Sequence, residues 1–379
     1  MKLPKRPNIR LQPASPSTLQ TPFARGWVHI RDGRFAVWFV LSSQPLRGCG
    51  RSRPRTIGSW RARILSDAAS VRSSGPQIAQ TGGGIPVEKR TVKFYSESVR
   101  LEGDLYLPSD LKAGERRPGI VLCHGFTGLR ALILGDYAKV FVDAGFVAFT
   151  FDYRGFGGSE GEKWRLIPLE QIDDIRNAIS FFEAQPQVDP ERIGLWGTSF
   201  GGANAPYAAA VDSRVKAVVG QVGFGDSERF MLDIRNYGER VELMRKLAED
   251  RRRRALEGVG ERVDPIDLAL RSSQSRKFLP QALKAVPGMK CDLSWETVEK
   301  TLEYKPIDLV HRISPRALLL IGARDDNVCP IEGYEKLYAR ACEPKKLVVL
   351  PIEHYDIYAG KWFDESARLA REWFERFLS

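Results

Sequence analysis

The pattern of apolar and polar positions becomes regular at Val87 and predicts strands that alternate with helices. Residues 91–97 and 99–107 alternate in polarity on either side of Ser98, which predicts an antiparallel hairpin. Short apolar runs predict buried strands at 119–123, 146–151, 192–196, 215–222, 317–321 and 347–350. Helical spacing of apolar residues predicts helices at 132–144, 169–184, 203–211 and 365–378. This alternation predicts an α/β fold with a mostly parallel, doubly wound sheet.

The alternation stops over residues 225–310, which contain a long charged helical stretch and no convincing strand. A helical insertion between two strands of an open sheet predicts a lid over the carboxyl ends of the strands, where ligands bind. We interpret the four arginines at 251–254 as a solvated helix face, with contact to a substrate carboxylate as the minority alternative. The lid residues that we expect to shape the substrate pocket are Phe230, Met231, Tyr237, Phe278 and Trp295.

The first 85 residues differ in composition from the rest of the chain and form a region separate from residues 86–379. They hold 2 Lys and 12 Arg against Asp32 and Asp67, whereas residues 86–379 hold 44 basic and 45 acidic residues. The total charge of +11 therefore belongs to the leader, and a nucleic-acid partner is not expected. We favour a start codon assigned too far upstream, with a disordered leader and an organellar transit peptide as alternatives.

Composition also restricts the cellular location and the cofactors that we expect for the protein. No apolar run approaches the roughly 20 residues that a membrane span requires. The five cysteines at 49, 123, 291, 329 and 342 form no CxxC pair, which favours a reducing compartment, and we expect a cytoplasmic location. No phosphate-loop, dinucleotide or zinc motif is present, so we predict no cofactor and no metal.

The strongest chemical signal is the sequence Gly-Thr-Ser-Phe-Gly at 197–201, between a predicted strand and a predicted helix. A G-x-S-x-G segment in that position is typical of a nucleophile elbow, which lifts the serine hydroxyl above the sheet at a helix N-terminus. Ser199 is therefore the predicted nucleophile.

A serine nucleophile needs a histidine base, and the chain has four candidates. His29 lies in the leader, His124 belongs to another motif, and His311 precedes a strand on its amino-terminal side. His354 follows the strand at 347–350, at the active end of the sheet, and is the predicted general base.

The histidine needs a carboxylate to orient it. The loop after the strand at 317–321 offers Asp325 and Asp326, and both keep the chain order Ser, Asp, His that this type of fold uses. Distance from the strand end favours Asp325, with Asp326 as the fallback and Asp226 as a remote third choice. The N–H groups of Phe200, after the nucleophile, and of Phe126, in the loop 124–128, are the predicted oxyanion donors.

These segments together resemble the α/β-hydrolases, in the serine-hydrolase branch that includes carboxylesterases and dipeptidyl-peptidase-like enzymes. The resemblance spans about residues 87–379 and rests on HGFTG at 124–128, FDYRGFGGSEG at 151–161, GTSFGG at 197–202, GARDDNV at 322–328 and EHYDIY at 353–358. It implies a sheet of the α/β-hydrolase type with a helical cap before the acid-bearing strand. It also implies that the first Asp of the pair, Asp325, is the triad acid, and that the loop at 152–159 is structural.

From these residues we expect a serine hydrolase that cleaves a carboxylic ester through an acyl-enzyme. The same triad serves amide, thioester or carbon–carbon hydrolysis and acyl transfer, and these stay open as alternatives. In the dipeptidyl-peptidase-like relatives a β-propeller precedes the hydrolase domain. Here the helical insertion takes its place, which weighs against peptidase activity. The expected partner is a small-molecule ester, aromatic or anionic in its acid part if a lid arginine contributes. Self-association as a homodimer is left open, and a non-catalytic binding protein is the least favoured alternative.

Overall fold

The computed structural model describes residues 87–286, 289 and 292–379, so the leader predicted at 1–85 lies outside the described residues. The strands, numbered in chain order, are β1 Glu88–Ser96, β2 Val99–Leu107, β3 Arg117–Cys123, β4 Val147–Phe151, β5 Val188–Thr198, β6 Val215–Gln221, β7 Arg262–Val263, β8 Leu293–Ser294, β9 Ala317–Ala323 and β10 Lys345–Leu350. Eight of them form one sheet in the order β1-β2-β4-β3-β5-β6-β9-β10.

The sheet begins with an antiparallel hairpin and continues as a parallel array. Glu97 and Ser98 have φ angles of 47° and 73°, which is the conformation of a two-residue turn whose twist matches that of the strands it joins. β1 pairs with β2, and β2 with β4, in antiparallel orientation. All pairs from β4 to β10 are parallel. The predicted α/β fold with a mostly parallel sheet is confirmed.

Helices cover both faces of the sheet because successive strand residues point to opposite sides. In β3, Val121 and Cys123 belong to one hydrophobic cluster, whereas Ile120 and Leu122 belong to the other. The helices outside the insertion are α1 Leu134–Asp143, α2 Pro168–Glu183, α3 Phe200–Val211, α9 Ile331–Arg340 and α10 Gly360–Leu378. Residues of α1 and α10 pack in the second cluster, and residues of α2, α3 and α9 pack in the first.

The helical insertion, residues 227–302, leaves the sheet after β6 and returns before β9. Its helices are α4 Ser227–Leu232, α5 Tyr237–Glu257, α6 Pro265–Leu268, α7 Ser273–Ala285 and α8 Trp295–Leu302. The structure adds one feature to the prediction of helices alone, namely the two-residue antiparallel ladder of β7 and β8. A capping box between Asn236 and Glu239 starts α5, and Gly258 ends it with a φ of 74°.

The two ends of the insertion meet at a narrow neck. The Ser227 N–H donates to the Tyr304 carbonyl at 3.1 Å, and the Ile307 N–H donates to the Gly225 carbonyl at 2.8 Å. β6 and β9 are neighbours in the sheet, so the chain leaves and re-enters at adjacent strands. Among the helices that the structure describes, none is both long enough and apolar enough to cross a membrane.

Candidate active site

Ser199 lies at the sharp turn between β5 and α3. Its φ of 55° and ψ of −122° are strained for a residue with a side chain. The Ser199 N–H donates to the Gln221 carbonyl of β6 at 2.8 Å, and its own carbonyl accepts from the Gly202 N–H at 2.8 Å. The neighbouring strand and the following helix therefore hold the strained turn.

The turn requires glycine on both sides of Ser199. A Cβ at Gly197 would lie 2.0 Å from the Gly201 carbonyl oxygen, and one at Gly201 would lie 2.3 Å from the Cys123 carbonyl oxygen. Real Cβ atoms are not found that close to a backbone oxygen, so the spacing in the sequence follows from the close approach of α3 to β3 and β5.

His354 lies beside Ser199 in the loop that follows β10. His354 Nε2 is 3.1 Å from Ser199 Oγ, and His354 Nδ1 is 2.7 Å from Asp326 Oδ2. The side chains of His354 and Asp326 are 1 % and 0 % exposed, so this chain of contacts is shielded from water. The structure thus brings together two of the predicted catalytic residues, with Asp326 in the position of the third.

Asp325 is not the carboxylate that faces His354, so the preference for it over Asp326 was wrong. Its side chain is about half exposed and pairs with the neighbouring Arg324, at 2.8 Å between Arg324 Nη2 and Asp325 Oδ2. That hydrogen bond lowers the pKa of the Asp325 carboxyl. The Arg324 and Asp325 amides still donate to carbonyls at and just after the end of β10, those of Leu350 and Ile352, so the chain turns towards the site one residue later.

Asp326 is held on both of its oxygens. While Oδ2 faces His354, Oδ1 accepts from the N–H groups of Val328 and Cys329 at 2.8 and 2.7 Å. The third choice, Asp226, is occupied elsewhere, because its side chain caps α4 by accepting from the amides of Glu228 and Arg229.

The loop 124–128 lies directly against the nucleophile. A Cβ on Gly125 would come within 2.9 Å of Ser199 Cβ and 3.4 Å of its Oγ. Thr127 has a φ of 55°, and the Gly128 N–H donates to the Gly125 carbonyl at 3.0 Å, which closes a tight turn. The ring centroids of Phe126 and Phe200 are 5.6 Å apart, so the two residues are neighbours at the site. The role of their N–H groups as oxyanion donors stays a prediction.

The other histidines do not reach Ser199 as bases. His124 is buried, and its Nδ1 is 3.0 Å from the Gly125 carbonyl, to which it donates. Burial lowers the pKa of this imidazole, because it disfavours the charged form. His311 is exposed and precedes the amino-terminal end of β9, as the sequence predicted. His29 lies outside the described residues.

A cavity lies at the site, and both Ser199 and His354 are among the residues that line it. Its wall on the side of the insertion consists of Leu270, Phe278, Leu279, Ala282 and Met289. Of the five lid residues predicted to shape the pocket, Phe278 alone lines this cavity. Phe230 stacks on Phe224 instead, and Trp295 packs beneath Lys246.

The arginines at 251–254 lie away from the cavity. Arg251 and Arg254 pair with Glu299 of α8, and Arg253 pairs with Glu261. The interpretation as a solvated helix face therefore fits, and contact with a substrate carboxylate does not. Sequence reasoning missed four residues of the apolar wall. Leu279 and Ala282 lie in α7 with Phe278, and Leu270 and Met289 flank that helix, but the sequence does not say which side of α7 faces Ser199.

In the described part of the chain, no group of three His, Cys, Asp or Glu side chains is arranged to hold a metal ion. This geometry does not test the predictions that the protein needs no cofactor and is cytoplasmic, and these stay predictions. Whether it forms a homodimer is likewise not tested.

Comparison with known proteins gives a consistent set of relatives. The model of the prolyl oligopeptidase family matches residues 135–258. An uncharacterised 31.7 kDa protein from the traX–finO intergenic region of Escherichia coli is 37 % identical over 269 residues, which cover 69 % of this chain and 92 % of that protein. The thiohydrolase aneE of Aspergillus aculeatus is 27 % identical over 292 residues, or 72 % of this chain and 90 % of its own length.

A solved structure agrees with the sequence relatives. The crystal structure of the α/β-hydrolase GrgF from Penicillium sp. sh18 superposes with a TM-score of 0.65 at 25 % identity. The match covers 77 % of this chain and 99 % of GrgF, so it includes both the sheet and residues inserted between its strands.

Proposed function

Because the chain belongs to the α/β-hydrolase superfamily of serine hydrolases, in one family with the Escherichia coli 31.7 kDa protein, we propose that it cleaves a carboxylic ester through an acyl-enzyme. The observation that carries this proposal is the buried series of contacts from Ser199 through His354 to Asp326. An activity of the hydrolase or acyltransferase type is common to this superfamily.

In the proposed mechanism, Ser199 Oγ attacks the acyl carbonyl while His354 Nε2 takes its proton. Asp326 accepts the Nδ1–H bond of His354 and stabilises the imidazolium that forms. The backbone N–H groups of Phe126 and Phe200 donate to the developing oxyanion, a contribution typically worth about 3–4 kcal/mol per donor. His354 then protonates the leaving group, and water activated by His354 hydrolyses the acyl-enzyme.

The cavity points to a neutral, apolar acyl group. Among the residues that the structure describes, those on the insertion side of the cavity are apolar, and His124 and His354 are the only lining residues with imidazole, carboxylate or basic side chains. An anionic acid would bury a charge there without a partner, which is costly. We therefore propose esters of small to medium apolar acids as substrates, and not the esters of anionic acids that contact with a lid arginine would favour.

A thioester substrate, or acyl transfer to an acceptor other than water, is the second candidate. The apolar wall and the burial of the His354 side chain favour it, because transfer requires that water be kept from the acyl-enzyme. The similarity to the thiohydrolase aneE points in the same direction.

The test uses a fluorophosphonate and a series of p-nitrophenyl esters on the wild-type protein and on Ser199→Ala. We expect the wild type to be labelled and to turn over esters, and the variant to do neither. Matched oxygen esters and thioesters of one acyl chain, with and without an alcohol acceptor, then separate the two candidates. Absence of labelling in a folded wild-type protein would refute both.

A further inference from the structure

The backbone of the candidate base is held by the helical insertion. The loop 351–356 leaves the sheet after β10, and its Glu353 N–H donates to the Asp356 side chain at 3.0 Å. The next amide, the N–H of His354 itself, donates to Gln274 Oε1 at 3.2 Å. Gln274 lies in the first turn of α7, so the insertion supplies a direct hydrogen bond to the residue that touches Ser199.

The following residue fastens the same turn of α7 to the loop. Tyr355 Oη is 2.9 Å from Ser275 Oγ, and the Tyr355 ring stacks on Phe278 with 4.3 Å between centroids. Ser272 caps α7 by accepting from the Ser275 N–H at 3.0 Å. These contacts make the first turns of α7 and the histidine loop one hydrogen-bonded unit, with Ser275 fully buried.

We infer that Gln274 is a positioning residue for His354, so that the insertion sets the geometry of the base in addition to forming the cavity wall. This inference rests on the proposed function, since it assigns Gln274 a role only if His354 acts as the base. The physical reason is the steep dependence of proton transfer on distance, since a misplacement of about 1 Å can cost about 100-fold in rate. His354 Nε2 and Ser199 Oγ are 3.1 Å apart, at the outer part of hydrogen-bond range.

The same helix also faces the substrate cavity. Leu279 and Ala282 line the cavity one and two turns beyond Gln274. An acyl group that fits against these residues supports the helix that holds the His354 amide. Poorly fitting substrates should therefore lose turnover rate as well as binding.

The experiment compares Gln274→Leu, which removes the acceptor, with Gln274→Glu, which keeps an acceptor oxygen at similar length. In the part of the chain that the structure describes, Gln274 Nε2 has no hydrogen-bond partner, so the Glu variant loses no hydrogen bond there. Because the same atom is buried, which favours the neutral acid, the Glu variant is assayed at several pH values and compared where its rate is highest. Ser273→Ala, at the exposed neighbouring position, is the matched control. The measurements are kcat and KM with a p-nitrophenyl ester, and the rate of inactivation by a fluorophosphonate.

We expect Gln274→Leu to lower kcat and the inactivation rate by about 10- to 100-fold with little change in KM. Gln274→Glu should retain most of both rates, and Ser273→Ala should match the wild type. Thermal unfolding of each variant checks folding, and if Gln274→Leu does not fold, Ser275→Ala should show a smaller loss in kcat with the same unchanged KM.

A rise in KM at constant kcat in Gln274→Leu would overturn the inference, because Gln274 would then belong only to the cavity wall. Equal losses in the Leu and Glu variants would overturn it as well, since the acceptor oxygen would not matter. Failure of the wild-type protein to react with the fluorophosphonate is a different outcome, because it contradicts the proposed function itself.

Discussion

The sheet around Ser199 and the helical insertion above it are built in different ways. Around Ser199, backbone oxygens approach the positions of missing side chains to within 2.0–2.3 Å, as at Gly197 and Gly201. In the insertion, the 21-residue helix α5 buries only Leu243, Leu247 and Asp250 and leaves Tyr237 83 % exposed. The turn around Ser199 is fixed by close packing of backbone atoms, whereas α5 is held mainly by caps and ion pairs. The rest of the insertion also buries apolar side chains, among them Leu268, Leu279 and Trp295.

The two regions therefore suit two different functions, catalysis and the selection of substrate. A reaction that depends on sub-ångström placement needs the close packing of the sheet, whereas the choice of substrate needs only a wall of suitable shape. Substitutions in the sheet should therefore remove activity or folding, and substitutions in the insertion should change selectivity. Gln274 is the proposed exception, because it lies in the insertion and contacts the histidine loop.

The largest expected effect is that of Ser199→Ala. Loss of the nucleophile should lower kcat by about 10⁶-fold while leaving the unfolding free energy close to that of the wild type. Steady-state ester hydrolysis and urea unfolding measure the two quantities. Residual turnover within about 100-fold of the wild type would mean that Ser199 is not the nucleophile.

The next effect distinguishes the two adjacent acids. Asp326→Asn should lower kcat by about 10⁴-fold, because the amide favours the wrong histidine tautomer. Asp325→Asn is the matched control and should change kcat little, since its side chain pairs only with Arg324 among the contacts described. If Asp325→Asn instead lowered kcat more than Asp326→Asn, with the same ester, Asp325 would be the triad acid, as the sequence analysis favoured.

Glycine substitutions compare the two regions directly. Gly201→Ala places a Cβ 2.3 Å from a backbone oxygen and should destabilise folding by more than about 3 kcal/mol. Gly258→Ala, at the end of α5, meets no atom within 4 Å and strains only its φ of 74°, so a cost of about 1 kcal/mol is expected. Urea unfolding of both variants gives the comparison, and similar costs would contradict it.

A larger side chain in the cavity wall should change selectivity more than rate. Leu279→Phe shortens the cavity on the α7 side and should disfavour long acyl chains over short ones by about 10- to 100-fold in kcat/KM. The p-nitrophenyl series from acetate to decanoate measures the profile. Leu283→Phe, on the exposed side of the same helix, serves as the control, and an unchanged profile in Leu279→Phe would move the acyl site elsewhere.

The smallest effect concerns the ion pairs of the insertion. Glu299→Gln removes the shared partner of Arg251 and Arg254 and should cost about 1 kcal/mol or less, because Arg251 is largely exposed. High salt should reduce the difference between the variant and the wild type in urea unfolding. A difference that grows with salt would show that these pairs do not act through charge.

The sequence was sufficient for the elements that have strong local signals. Strand and helix periodicity located the sheet, and the G-x-S-x-G segment between β5 and α3 located Ser199. His354 followed by elimination, because only one histidine outside the other motifs follows a strand at the correct end. α9 was not predicted, although Pro330 precedes apolar residues at helical spacing, Ile331, Tyr334 and Leu337.

The sequence was insufficient where a shift of one residue in a turn decides which side chain faces the site. Asp325 and Asp326 are equivalent in composition and chain order, and only the extra turn residue after β9 directs one side chain inward. The prediction of the cavity wall was incomplete for a related reason. Which side of α7 faces the cavity depends on its contacts with Tyr355 and on the packing of the whole insertion.

The insertion is joined to the sheet at a single narrow junction, so its length is only weakly constrained by the fold of the sheet. Because the chain departs from β6 and rejoins at the adjacent β9, with backbone hydrogen bonds at Gly225 and Tyr304 closing the junction, the two ends stay together whatever lies between them. The entropy of closing such a loop grows only slowly with its length. We therefore expect the scaffold below to accept insertions of different size, provided that a graft keeps an acceptor for the His354 N–H at the position of Gln274.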